Sequence, residues 1–254
     1  MPFCTINSET IFYAFNRSKA EKSILLIHGS GGNHTLWPEK LVHSPDVCVY
    51  AVDLPGHGLS KGHGRSSIKE YADFIDSFIL HLDLKNIMIA GHSMGGAIAQ
   101  IIALNPPEWL SGIILIGTGA RLRVAPFIFE GVLSDFRETV NLIYKLAFGP
   151  AASRQIVDIF LKSFLDNGQE TVLNDFKACD NFDILKEIGN INLPTLVLSG
   201  SKDQLTPIKY GEFLCGQIPG AAHMVIDDAG HMMALEKPDE FVRHVMDFLK
   251  RVNI

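Results

Sequence analysis

Gly91-His92-Ser93-Met94-Gly95 sets a serine between two glycines, at the junction between an apolar strand-like run and a helix-like one. A serine squeezed into such a turn has its hydroxyl pushed outward, within reach of both a base and a substrate. Gly91 and Gly95 lack the β-carbons that would collide as strand and helix close on each other, and glycine accepts a strained backbone. A serine hydroxyl is a poor nucleophile until an imidazole takes its proton and an acid orients that imidazole, so a histidine and a carboxylate must reach Ser93. A second candidate is the glycine-rich stretch His28-Gly29-Ser30-Gly31-Gly32 after an early apolar run. It lacks the G-K-[ST] of a phosphate loop and the G-x-G-x-x-G of a dinucleotide site, so no nucleotide is expected there. No H-E-x-x-H pair or cluster of Cys and His ligands occurs either, so neither metal nor cofactor is expected.

Positioning these residues requires alternating strands and helices, and the chain supplies that rhythm. Apolar runs at Ser23–Ile27, Val47–Val52, Asn86–Ala90, Gly112–Ile116, Pro194–Ser199 and Ala222–Ile226 predict strands of a mostly parallel, doubly wound sheet. Thr5–Ile6 and Ile11–Phe15 predict an N-terminal antiparallel pair. Ser67-Ile-Lys-Glu70 reads as a capping box opening a helix to about Leu82. Thr206-Pro207 reads as an N-cap with a first-turn proline, and Pro238 opens a last amphipathic helix to about Lys250. From Arg121 to about Glu187 no convincing strand occurs, the pattern is helical, and eight of the sixteen phenylalanines lie there. We therefore expect a core of residues 1–120 and 188–254, with residues 121–187 inserted as a helical cap after the sixth strand, over the carboxyl edge where open α/β sheets bind ligands.

A chain of 254 residues, 47% hydrophobic and 20% charged, can bury a large core. Its net charge of −6, without a basic cluster, argues against a nucleic-acid partner. Its apolar runs are too short to span a bilayer, and the N-terminus lacks the basic start and apolar block of a signal peptide. Cys4, Cys48, Cys179 and Cys215 are scattered without a C-x-x-C pair, which predicts reduced thiols in a cytoplasmic protein. Homo-oligomerisation is left open.

The Ser93 motif in its strand–helix context resembles the nucleophile elbow of the α/β-hydrolase superfamily, and four further segments resemble that family in the same order. Pro194–Ser199, followed by Gly-Ser-Lys-Asp203, is similar to its acid loop. Asp227-Asp-Ala-Gly-His231, between the last strand and last helix, is similar to its histidine loop. His28–Gly32 resembles its oxyanion loop, and Asp53-Leu-Pro-Gly-His57-Gly58-Leu-Ser60 resembles a D-x-x-G-x-G-x-S segment whose expected role is to shape the neighbouring loop. The resemblance implies the chain order Ser93, Asp203, His231 for nucleophile, acid and base. Asp227 and Asp228 end the preceding strand, and the Gly117–Ala120 loop, where some relatives carry the acid, has no carboxylate. Of ten histidines, His231 alone combines chain order and loop; His92 is expected to point away from Ser93 in a structural role. The resemblance also implies an oxyanion hole from the backbone N–H groups of Met94 and Ser30, with Gly31 as the alternative to Ser30.

A serine at the elbow implies an acyl-enzyme, whereas dehalogenases and epoxide hydrolases of this fold carry an aspartate there. The expectation is a cofactor-independent hydrolase of small to medium carboxylic esters. An enol-lactonase or carbon–carbon bond hydrolase of aromatic degradation is the nearest alternative, and a small-molecule receptor on the same fold the alternative of another class. Arg121 and Arg123, at the start of the cap, are either solvated or placed to bind a substrate carboxylate. The substrate-binding residues are otherwise unassigned.

Overall fold

A computed structural model describes residues 2–16 and 18–252. Its frame is an eight-stranded sheet of β1 (Phe3–Ile6), β2 (Glu9–Phe15), β3 (Ser23–Ile27), β4 (Cys48–Val52), β5 (Ile87–His92), β6 (Leu110–Ile116), β7 (Thr195–Gly200) and β8 (Ala222–Ile226). The spatial order is β1-β2-β4-β3-β5-β6-β7-β8. β2 pairs antiparallel with β1 and with β4, and the ladders from β4 through β8 are parallel. The predicted strands therefore all form, shifted by at most two residues at their ends.

Period-two alternation explains why the central strands read as unbroken apolar runs: both of their faces are buried. Leu25 and Ile27 of β3, with Ile87 and Ile89 of β5, join Tyr71, Phe78 and Ile98 in one core layer. Ile24 and Leu26, with Met88 and Ala90, join Trp37, Leu41 and Phe241 in the other. Helices α1 (Glu39–Val42), α2 (Ile68–His81) and α3 (Met94–Leu104) belong to the first half of the chain; α7 (Lys209–Gln217), α8 (Met233–Glu236) and α9 (Pro238–Arg251) belong to the last part.

Between β6 and β7 lie α4 (Pro126–Ser134), α5 (Phe136–Ala147) and α6 (Arg154–Asp180), the last kinked at Gly168. They share an apolar cluster of their own, with Val132, Val140, Phe160 and Val172 at its centre and Leu36 and Met232 reaching in from the sheet's loops. The one β-type contact in this segment is an isolated bridge between Arg121 and Asp183.

Two expected caps are not made. Ser67 precedes α2 but its side chain makes no capping hydrogen bond; burial of Ile68, Tyr71 and Ala72 fixes the helix start without it. Thr206 does not cap α7, which begins at Lys209 after Ile208, because its hydroxyl is engaged elsewhere. No helix of the described residues is long and apolar enough to cross a membrane.

The strand order sets the site. The chain runs from β3 outward to β4, then returns to lay β5 on the other side of β3. The loops leaving β3 and β5 thus diverge from neighbouring strands, which opens a crevice at their carboxyl ends. Ile27 pairs with Gly91 across this switch point, so the His28–Gly32 loop starts beside His92 and Ser93.

Candidate active site

Ser93 sits between β5 and α3 with φ 52° and ψ −113°, a backbone conformation that L-residues rarely adopt. Both ends of the turn are tied down. Its N–H donates to the Ile116 carbonyl at 2.8 Å, and its own carbonyl accepts from Gly96 N–H at 2.9 Å and Thr118 Oγ1 at 2.8 Å. The two flanking glycines are required by close approach: a β-carbon on Gly91 would strike the Gly95 carbonyl, and one on Gly95 the Ile27 carbonyl.

Asp203 lies on the loop after β7 and His231 on the loop between β8 and α8, and the structure brings Asp203 Oδ2 to 2.8 Å from His231 Nδ1. Among the described residues neither Asp227 nor Asp228 forms a hydrogen bond or ion pair with that ring; Asp228 is exposed near Lys202. The Asp203 carboxylate accepts three further hydrogen bonds, from Leu205 N–H at 2.8 Å, Thr206 N–H at 2.9 Å and Thr206 Oγ1 at 2.7 Å. Burial pushes its pKa up, but His231 and the Thr206 donors outweigh burial and hold it below the usual carboxylate value. An ionised carboxylate on Nδ1 fixes the tautomer that leaves Nε2 as the acceptor. The hydroxyl expected to cap α7 is thus spent on Asp203.

His92 is buried and its Nε2 donates to the His231 carbonyl at 2.9 Å, with the two rings 4.6 Å apart. Burial and then the neighbouring His231 push its pKa down to about 3, so it is neutral and steadies the His231 backbone. Glu236 steadies the same loop, accepting from Gly230 N–H at 3.0 Å and, from the loop after α5, Gly149 N–H at 2.8 Å.

Ser93 and His231 line one cavity of about 240 Å³. Gly29 and Ser30 line it too, and its remaining wall is largely apolar: Leu36, Leu122, Ile128, Ile143 and Met232, with Phe127, Phe160, Phe164 and Phe176 from the helices above. Four of the eight phenylalanines in that segment therefore face the cavity. The Ser93 hydroxyl and His231 Nε2 form no hydrogen bond with each other among the described residues, and both residues face the cavity.

The His28–Gly32 loop is ordered by its own first residue. His28 Nδ1 donates to the Gly29 carbonyl at 2.8 Å while its Nε2 accepts from Leu54 N–H at 3.1 Å, so the ring is neutral. Burial, then the nearby His57, push its pKa down to about 4. The Ser30 hydroxyl contacts Met94 Sδ at 3.6 Å and Cys179 Sγ at 3.4 Å, which places residues 30 and 94 side by side. No acceptor among the described residues takes the Ser30 or Met94 N–H, whereas Gly31 N–H is already donated to Asp175 at 2.8 Å. Asp53 accepts from His34 N–H at 2.6 Å and Leu59 N–H at 2.9 Å, which shapes its loop.

Arg121 and Arg123 both point at Asp183, at 3.8 and 3.7 Å, and Arg123 also donates to the Asp180 carbonyl at 2.6 Å. Only Arg123 reaches the cavity wall. Sequence reasoning missed Thr206, and also Asp175, Ser163 and Asn167 of α6, which hydrogen-bond the Gly31 backbone. Each is a common polar residue in a helical or turn pattern, and the acid loop's Asp-x-x-Thr spacing is the only local signal among them.

Comparison with known proteins places the chain in a family. The alpha/beta hydrolase fold model matches residues 22–238, and the chain belongs to that family. It is 28% identical over 241 residues to a pimeloyl-[acyl-carrier protein] methyl ester esterase of Vibrio parahaemolyticus serotype O3:K6 (strain RIMD 2210633), covering 89% of this chain and 93% of that one. Among solved structures it matches a thermophilic esterase with 35% identity and a TM-score of 0.88, over 99% of this chain and 97% of that one. It also shares the fold of the enol-lactonase from Burkholderia xenovorans LB400, at 21% identity and a TM-score of 0.89, over 98% and 100% of the two chains.

Proposed function

We propose that this protein is a serine hydrolase of small to medium carboxylic esters that needs no cofactor, with residues 121–187 as a helical cap on a core of residues 1–120 and 188–254. The observation that carries the reading is the strained Ser93 in one cavity wall with His231, whose far nitrogen is held by Asp203 at 2.8 Å. Kinship with esterases, named above, supports the same chemistry.

In this reading Ser93 Oγ attacks the ester carbonyl carbon while His231 Nε2 takes its proton. Asp203 stays ionised and stabilises the imidazolium that forms. Negative charge gathers on the carbonyl oxygen between the Met94 and Ser30 N–H groups, and the amino end of α3 favours it further. His231 then returns the proton to the departing alcohol, leaving an acyl-enzyme that water cleaves by the reverse sequence. The apolar cavity, walled in part by phenylalanines of α4 and α6, suits an acyl chain of a few carbons.

The test is steady-state hydrolysis of p-nitrophenyl butyrate by the purified enzyme after exhaustive chelation, with Ser93→Ala alongside. Many turnovers per enzyme, lost in Ser93→Ala by several orders of magnitude, are expected. A single stoichiometric burst would indicate a receptor, and activity lost on chelation and restored by zinc would indicate a metalloenzyme. A panel including an enol-lactone and a meta-cleavage product separates the ester reading from its nearest alternatives.

A further inference from the structure

We propose that Asp175, Ser163 and Asn167 of α6 are positioning residues for the oxyanion hole, so that the cap sets the catalytic geometry as well as roofing the cavity. This inference rests on the Ser30 N–H being an oxyanion donor, as proposed above.

Three successive peptide planes decide where the Ser30 N–H points. In the plane joining Gly29 to Ser30, the carbonyl is tied back by His28 Nδ1 at 2.8 Å and Gly32 N–H at 3.0 Å. A trans peptide then directs the Ser30 N–H the opposite way. The core supplies those two bonds. The next two planes are held by the cap: Gly31 N–H donates to Asp175 Oδ2 at 2.8 Å, and the Gly31 carbonyl accepts from Ser163 Oγ and Asn167 Nδ2, both at 2.8 Å. Asn167 Nδ2 also reaches the Gly32 carbonyl at 2.9 Å, and its Oδ1 accepts from Gly58 N–H at 2.8 Å. Gly31 has φ +62°, and a β-carbon there would lie 2.6 Å from the Phe164 ring. The loop is thus gripped at its donor, at its acceptors and by shape, from the two stretches of α6 on either side of the Gly168 kink.

Asp175 is fully buried, so its charge needs compensation. His57 provides it. Its Nε2 lies 2.8 Å from Asp175 Oδ2 and its Nδ1 3.0 Å from the Pro55 carbonyl, two acceptors that require both ring nitrogens to carry protons. Burial lowers the His57 pKa, but attraction to Asp175 and the hydrogen bonds outweigh it and raise it above the usual imidazole value. Tyr71 OH completes the shell, donating to Asp175 Oδ1 at 2.6 Å. A carboxylate so fully engaged is a fixed anchor for Gly31. An oxyanion donor is worth having only if it is preorganised, which is what such an anchor provides.

The test compares Asp175→Asn, Asn167→Ala and the packing control Val172→Ala with wild type, in the full-length enzyme at equal folded fraction. The readouts are kcat and KM for p-nitrophenyl butyrate and the affinity for an alkyl trifluoromethyl ketone, whose hemiketal mimics the tetrahedral intermediate. Asp175→Asn should lower kcat by about 10- to 100-fold with KM within about threefold, and ketone affinity should fall in parallel. Asn167→Ala should lower kcat by roughly 5- to 10-fold in the same pattern, and it carries the test should Asp175→Asn not fold. Val172→Ala should lose stability but keep kcat within about twofold. Unchanged kcat and ketone affinity in the folded variants, or a loss confined to KM, would overturn the inference. Failure of the Ser93 hydrolase reading itself looks different, since Ser93→Ala would then retain activity, whereas a Ser30 N–H that is no oxyanion donor would leave ketone affinity unchanged in the cap variants while Ser93→Ala stays inactive.

Discussion

Strand β5 and helix α6 converge on one loop, Gly29–Gly32, by different means. β5 delivers Ser93 to it through a parallel backbone ladder with β3, in which Ile27 faces Gly91 and the requirement on side chains is that they be small or apolar. α6 reaches it through the side chains of Asp175, Ser163 and Asn167, each with a specific partner. The core half of the site is therefore set by pairing and packing spread over many residues. The α6 half hangs on a few polar contacts that single substitutions can remove. Apolar residues differ between the regions in the same way. Those of β3 and β5 are buried on both faces, whereas Phe160 and Phe164 of α6 pack with α4 and α5 and also form the cavity wall.

Asp203→Asn should have the largest effect, because it favours the wrong His231 tautomer while sparing the strands and helices: kcat should drop by about 10⁴-fold in a protein with wild-type circular dichroism. A modest loss in kcat would mean that the loop after β7 matters for packing alone. Next, Phe78→Ala, in the core between α2 and the sheet, should cost roughly 3–5 kcal/mol in denaturant unfolding and leave acyl-chain preference unchanged. Phe160→Ala should instead move the preferred p-nitrophenyl ester toward longer chains. If the two variants behave alike, the division between packing and cavity wall fails.

In the wild-type enzyme, kcat/KM should rise from acetate toward butyrate or hexanoate by no more than about fourfold per methylene, then fall for chains the cap cannot admit. Preference for emulsified long-chain triglycerides over soluble short esters would contradict this reading. A separate effect is expected on acid stability. The folded pKa of His92 is pushed down to about 3 and that of His28 to about 4, so the unfolded chain takes up these protons first as pH falls below about 6.5. Stability contributed by keeping them neutral is full above that pH and is lost toward pH 4, by up to about 1.4 kcal/mol per unit for each. Denaturation midpoints at pH 7.5, 6 and 5 should show the decline, and His92→Asn should lessen it.

The contrast between the regions also explains what could be read before folding. Strands such as Ser23–Ile27 and Ala222–Ile226 announce themselves because burial on one or both faces writes a local apolar pattern. The elbow is legible for a related reason, since close approach admits only glycine at positions 91 and 95. Asp175 carries no such mark. An aspartate on an amphipathic helix is ordinary, and its partner Gly31 is 144 residues away in sequence. Thr206 misled because a threonine before a proline is a good helix start, and competition from the Asp203 carboxylate exists only in three dimensions. Ser67 misled in the opposite way, since α2 starts where packing of Ile68 and Tyr71 requires, with no help from the serine hydroxyl.

One measurement bears most directly on the claim that Ser93 is the nucleophile of a hydrolase. Incubation with a p-nitrophenyl alkylphosphonate, which phosphonylates only a serine activated by a correctly placed imidazole, should release one equivalent of p-nitrophenol and end ester hydrolysis. Peptide mass spectrometry should place the adduct on Ser93, and His231→Ala should abolish labelling. Labelling at another residue, or an enzyme fully active after stoichiometric labelling of Ser93, would contradict the account.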